Sequence, residues 1–182
     1  AMDGVTAVIV ASVWNEEDWE RALLYMARNR LNFLEFYPPL EHVLDTVFPE
    51  AKGLDNGSVL KSDAKHALAK KVLARARALG IECVYVLSYG SFPEPVRALY
   101  PNLEWRNGFL CAHQPELMEL TKKTWQVLVE ELGTDHWYAI RHRGEEEQVY
   151  SDPCRSVTKA QGFQQAFAIM DEVDPDVLAL PG

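Results

Sequence analysis

The sequence contains no CxxC pair; its three cysteines, Cys83, Cys111 and Cys154, are widely spaced and odd in number. That excludes a zinc knuckle or a redox dithiol as the organising feature. Buried free thiols are the expectation, and a reducing, cytoplasmic location fits them. No apolar run reaches the roughly 18 residues a membrane span needs, so no membrane association is expected. The first residues show no basic segment leading into an apolar one, so no signal peptide is read there. Basic runs are missing too. With 27 acidic against 18 basic residues and a net charge of -9, the average field repels a polyanion, and nucleic acid is not an expected partner. No glycine-rich phosphate loop follows the first strand signal, where Trp14-Asn15-Glu16-Glu17 stands instead. Nor is a tight hairpin signal read anywhere.

What is present suits one domain with a sizeable core: 182 residues, 48% of them hydrophobic. Val5 to Val13 is a nearly continuous apolar run, read as a buried strand. Asn15 is placed to cap a helix whose first turn holds Glu16, Glu17 and Asp18. Leu31 to Tyr37 reads as a second strand, closed by Pro38-Pro39. A short helix is expected over 40–48 and a loop over 49–61. A helix capped by Ser62 or Asp63 then runs to Gly80, which is placed to end it in a left-handed conformation. Ile81 to Ser88 is a buried strand, residues 100–113 look irregular, and Pro115 opens a long helix followed by Gly133. Trp137 to Ile140 signals a strand, Phe163 to Met170 a helix, and Val177 to Leu180 one more strand.

Strands alternating with helices imply parallel pairing through helical crossovers. An α/β fold follows. The missing phosphate loop favours a TIM-barrel-type (β/α) sheet over an open doubly wound one. Five strand signals do not close an eight-stranded barrel. The expectation is a single (β/α) domain over 1–182, a partial barrel of about five βα units or a fragment of a longer enzyme.

The candidate chemistry lies at the end of the strand beginning at Trp137. Arg141, His142, Arg143 and Gly144 lead there into Glu145, Glu146 and Glu147. Adjacent carboxylates repel as anions, so one tends to keep its proton to higher pH, which suits a general acid. A solvated acidic turn is the plain alternative. His142 could bond a sugar hydroxyl or hold a glutamate, or serve structure alone. Trp14, Tyr37 and Tyr89 follow strand signals and could stack on sugar faces, with core packing as the alternative; Asn15 and Arg141 lie beside them in the same reading. His136 and His142 match no metal-ligand spacing, so neither a metal nor another cofactor is expected.

The stretches LARARALGIECVYVLSYGSFPEPVRALYPNLEW and GTDHWYAIRHRGEEE resemble the catalytic barrel of N-acetylhexosaminidase-type glycoside hydrolases. The α-N-acetylglucosaminidase family is the nearer likeness, through Gly133-Thr134-Asp135-His136 and Tyr138. That resemblance implies a general acid at Glu145, with Arg141 and Gly144 standing where the family has Asp and Asn. The β-N-acetylhexosaminidase family, matched through His142 and Gly144, implies an acetamide-orienting carboxylate at Glu145 and the acid at Glu146. Either way the implied activity is O-glycoside hydrolysis of a carbohydrate substrate. A non-catalytic half-barrel that binds carbohydrate, or forms homo-oligomers through open sheet edges, is the alternative.

Overall fold

The computed structural model describes residues 6–8, 14–51, 59–90, 92, 94–106, 109–141 and 157–178. The strands are β1 (Thr6–Val8), β2 (Phe33–Phe36), β3 (Glu82–Ser88), β4 (Trp105–Arg106), β5 (Phe109–Leu110) and β6 (Trp137–Arg141). The helices are α1 (Glu16–Arg28), α2 (Leu40–Val47), α3 (Val59–Ala78), α4 (Glu94–Leu99), α5 (Pro115–Leu132) and α6 (Lys159–Val173), with a 3-10 turn at Pro49–Ala51.

β1, β2, β3 and β6 form one parallel sheet in the order in which they occur along the chain. Leu178 bridges Trp137 in parallel and donates its N–H to the His136 carbonyl at 2.8 Å, so the segment after α6 continues the order. The mixed α/β class with a parallel sheet is therefore present. One correction concerns the absence of hairpins. β4 and β5 pair antiparallel, Trp105 with Leu110 and Arg106 with Phe109. The two residues between them in sequence are Asn107-Gly108, the commonest short hairpin connection.

Local chemistry sets the helix limits. The Asn15 side-chain oxygen accepts from the N–H groups of Glu17 and Asp18 at 2.9 and 3.0 Å, while Asp18 returns a bond to the Asn15 N–H. This reciprocal cap satisfies donors that the first turn leaves open. Trp19, Leu23 and Met26 then recur on one face and are buried. α3 starts at Val59 rather than at Ser62 or Asp63, and Gly80 ends it at φ +72, as its position in the sequence implies. Pro115 opens α5, where its missing N–H costs nothing, and Leu117, Leu120, Trp125, Leu128 and Leu132 line the buried face.

The two sides of the sheet differ. Leu34, Phe36, Cys83, Tyr85, Leu87, Tyr138 and Ile140 belong to one large core that also takes in buried residues of α1, α2, α3, α5 and α6. Phe33, Val84 and Trp137, with Ala139 against them, form a small separate cluster on the other side. Among the described residues, helices thus cover one face. Each fully buried leucine there, such as Leu34 or Leu73, contributes about 2 kcal/mol by burial.

Candidate functional site

Because the strands run parallel, their carboxyl ends share one side of the sheet. β2 leads there into Tyr37, β3 into Tyr89 and Gly90, and β6 ends at Arg141, in register with Ser88. His142, Glu145 and Glu146 lie outside the described residues, as does the side chain of Arg141. The remaining residues singled out from the sequence are dispersed by role. Asn15 spends its side chain on the α1 cap. Trp14 is half-buried and sets its ring edge against Trp19, with centroids 5.2 Å apart. Tyr37 is 44% exposed. Tyr89 is only 1% exposed: its ring packs 6.5 Å from Trp125, and its hydroxyl donates to Gln165 Oε1 at 3.0 Å. Tyr89 is therefore part of the helix-side core and offers no face to a sugar.

The sequence reading missed a polar cluster beyond the end of β3. Leu110 of β5 donates its N–H to the Gly90 carbonyl at 3.0 Å, docking the β4–β5 hairpin there. Gly90 has φ +83, and an added Cβ would lie 3.3 Å from the Leu110 carbonyl oxygen, so the close approach requires glycine. The hairpin fixes Glu104 opposite Cys111, whose N–H bonds the Glu104 carbonyl at 3.0 Å. His113 then brings its Nε2 to 2.8 Å from Glu104 Oε2 and 3.3 Å from the Gln114 amide nitrogen. His113 Nδ1 and Glu116 Oε2 are buried with no hydrogen-bond partner among the described residues. The Asn107-Gly108 dipeptide was the available signal for this juxtaposition.

Ligand atoms of Glu104, Cys111 and His113 come within 4.8 Å of one another, a spacing compatible with a metal. The sulfur is not free, however, since Cys111 is disulfide-bonded. That leaves an oxygen and a nitrogen, short of the three protein ligands of a typical zinc site. It also corrects the expectation of free thiols, which holds for Cys83 but fails for Cys111. Burial pushes the Cys83 thiol up to about 12, so it is an inert core group.

At the opposite, amino end of the sheet, Gly133 to Tyr138 form a dense network. Asp135 accepts from Arg77 Nε and from the Cys83 N–H, both at 2.9 Å, tying α3 and β3 to the start of β6. Tyr85 donates to the Gly133 carbonyl at 2.7 Å. The Thr134 hydroxyl accepts from the His136 N–H at 2.8 Å and meets the Tyr138 hydroxyl at 2.6 Å. Tyr138 in turn donates to Asp174 Oδ2 at 2.7 Å, and His136 Nδ1 lies 2.8 Å from Asp174 Oδ1. Burial and the Asp174 carboxylate push the Tyr138 hydroxyl far up. For Asp174, burial opposes ionisation, but the bonds from Tyr138 and His136 outweigh it and hold the carboxyl below its ordinary range. His136, Asp174 and Asp176 also come within metal-ligand spacing. Both Asp174 oxygens are already engaged, so the group serves as a clamp. The Gly-Thr-Asp-His stretch thus has a structural explanation.

Neither a protein-family model nor a curated protein matches the chain. None of the described helices is long and apolar enough to cross a membrane.

Proposed function

We propose that the chain is a section of a (β/α) barrel, about five βα units, from an O-glycoside hydrolase of N-acetylhexosaminidase type. The observation that carries this reading is the parallel sheet in chain order with its helices on one face. A doubly wound sheet reverses its order at a switch point and is covered on both faces. A barrel wall keeps chain order, puts helices outside, and concentrates chemistry at the carboxyl ends of its strands. β6 ends there at Arg141, and the sequence after it includes Glu145 and Glu146. One of these protonates the leaving glycosidic oxygen. The second group is the substrate's own acetamide or a carboxylate on a later strand.

The test is release of 4-nitrophenol from α- and β-linked nitrophenyl N-acetylglucosaminides and N-acetylgalactosaminides by the longest natural chain. Glu145→Gln and Glu146→Gln should separate the roles: loss of the acid lowers kcat by about 10²- to 10⁴-fold. An intact fold that leaves every glycoside untouched ends the catalytic reading.

A second reading is a non-catalytic half-barrel that binds carbohydrate or a second copy of itself. Its supporting observation is that β1 is paired on one side only among the described residues, leaving a sheet edge for another strand. Light scattering of the same chain distinguishes the two, since a monomer at high concentration excludes edge-mediated assembly.

A further inference from the structure

We infer that Glu35 and Tyr37, on the helix-free face of β2, form a carbohydrate subsite in which Glu35 accepts from sugar hydroxyls and Tyr37 lies against the ring. Glu35 stands inside the apolar run of β2, and its direction follows from its neighbours. Leu34 and Phe36 belong to the helix-side core and Phe33 to the cluster on the other side, so Glu35 faces away from the helices. β2 runs between β1 and β3, so this carboxylate is on an inner strand and not at an edge. It is partly buried and in register with Val84, which pairs in turn with Trp137. A carboxylate beside apolar neighbours on an inner strand is unfavourable for the fold, and such departures from good packing are characteristic of binding sites.

The helix-free face changes character along its length. Toward the amino end it is bulky: the Phe33 and Trp137 rings meet edge to face with centroids 5.5 Å apart, and Trp137 Nε1 donates to Glu82 Oε2 at 2.7 Å. Toward the carboxyl end the next row is small, with Val86 paired to Ala139, and Ala139 stays partly exposed. Tyr37, two residues beyond Glu35, continues the same side and is 44% exposed. An accessible phenol ring and a carboxylate thus stand beside small neighbours. A pyranose presents an apolar C–H face that an aromatic ring can cover, and hydroxyl donors that a carboxylate accepts. Glu35 also sets the class of sugar, because its charge disfavours one that carries an anion of its own. The inference rests on the carbohydrate reading above, in its catalytic or its non-catalytic form; in a barrel wall the helix-free face lines the interior.

Calorimetric titration of the longest natural chain with N-acetylglucosamine, and with the same sugar phosphorylated, tests it beside the nitrophenyl glycoside assay. The neutral sugar should bind, and the phosphorylated one about tenfold more weakly or worse. Glu35→Gln and Tyr37→Ala should each weaken binding of the neutral sugar by about tenfold or more, whereas Tyr37→Phe should keep it. Glu35→Gln should also narrow the gap between the two sugars, which a purely structural role for Glu35 leaves unchanged. Both weakened variants should melt within about 2 °C of the wild type, since glutamine is nearly isosteric with glutamate and Tyr37 is exposed. Should Glu35→Gln fail to fold, Tyr37→Ala and the wild-type preference for the neutral sugar decide. If the wild type binds or hydrolyses its sugar and either folded variant binds equally well, the subsite is overturned and the carbohydrate reading stands. A folded wild-type chain that neither binds nor hydrolyses overturns both.

Discussion

At the amino end of the parallel sheet, polar groups satisfy one another in two neighbouring sets, Arg77 with Asp135 and the Cys83 N–H, and His136 and Tyr138 with Asp174. At the carboxyl end, His113 Nδ1 and Glu116 Oε2 are buried without partners among the described residues, and Cys111 supplies a covalent bond instead. The first arrangement is what stability requires, because an unsatisfied buried polar group costs about 1–3 kcal/mol. The second is less stable than it could be, and unsatisfied groups of that kind are expected where a ligand or another segment completes the bonding. In (β/α) barrels the same division separates the supporting end from the working end.

The contrast can be broken most forcefully by cutting the covalent bond. Reduction at Cys111 should remove about 2–4 kcal/mol. That is a fall in Tm of about 10 °C. Thermal unfolding with and without a dithiol measures it, and Cys111→Ser should leave the dithiol without effect.

Next in size is Asp174→Ala, which leaves the buried Tyr138 hydroxyl without its acceptor and His136 without its anchor. A loss of about 3 kcal/mol in urea unfolding is expected. The pH dependence carries a sign. Asp174 is held below its ordinary value of 3.8, so its contribution is complete above that value and fades as pH falls through the lower folded value. The wild-type chain should lose stability over that acid window more steeply than Asp174→Asn. Equal slopes would show that the carboxylate is not held by its partners.

Asp135→Asn should cost about 1–2 kcal/mol, because the amide keeps one acceptor for the Cys83 N–H but loses the charge opposite Arg77. The smallest effect belongs to Glu116→Gln. Its buried oxygen has no donor among the described residues, so a change within about 0.5 kcal/mol is expected. A cost there matching that of Asp135→Asn would erase the distinction between the two ends.

Much of the scaffold was legible because local signals agreed. The Asn15 cap, the glycine stop at Gly80, the proline start at Pro115 and the apolar runs of β2 and β3 each have a local physical cause. Tyr89 was misread as a rim residue, although alternation already argued against it. Cys83, Tyr85 and Leu87 face the helices, and the residue two beyond Leu87 continues that side. The hairpin was overlooked because residues 100–113 hold Pro101, Asn102 and Gly108, whose turn chemistry masks two very short strands. The pairing of Glu104 with His113 depends on that hairpin, so neither residue was visible as part of a site. Glu145 and Glu146, the most distinctive acids in the sequence, lie outside the described residues, and activity measurements must assign their role.

Cys83 sits on a strand flanked by neighbours on both sides and is buried in the core on the helix side of the sheet. A thiol reagent can reach it only when that wall parts, so the labelling rate of this one sulfur is an intrinsic clock for breathing of the strand layer. Followed in urea, the clock would tell whether the layer parts piecemeal or only when the whole molecule opens.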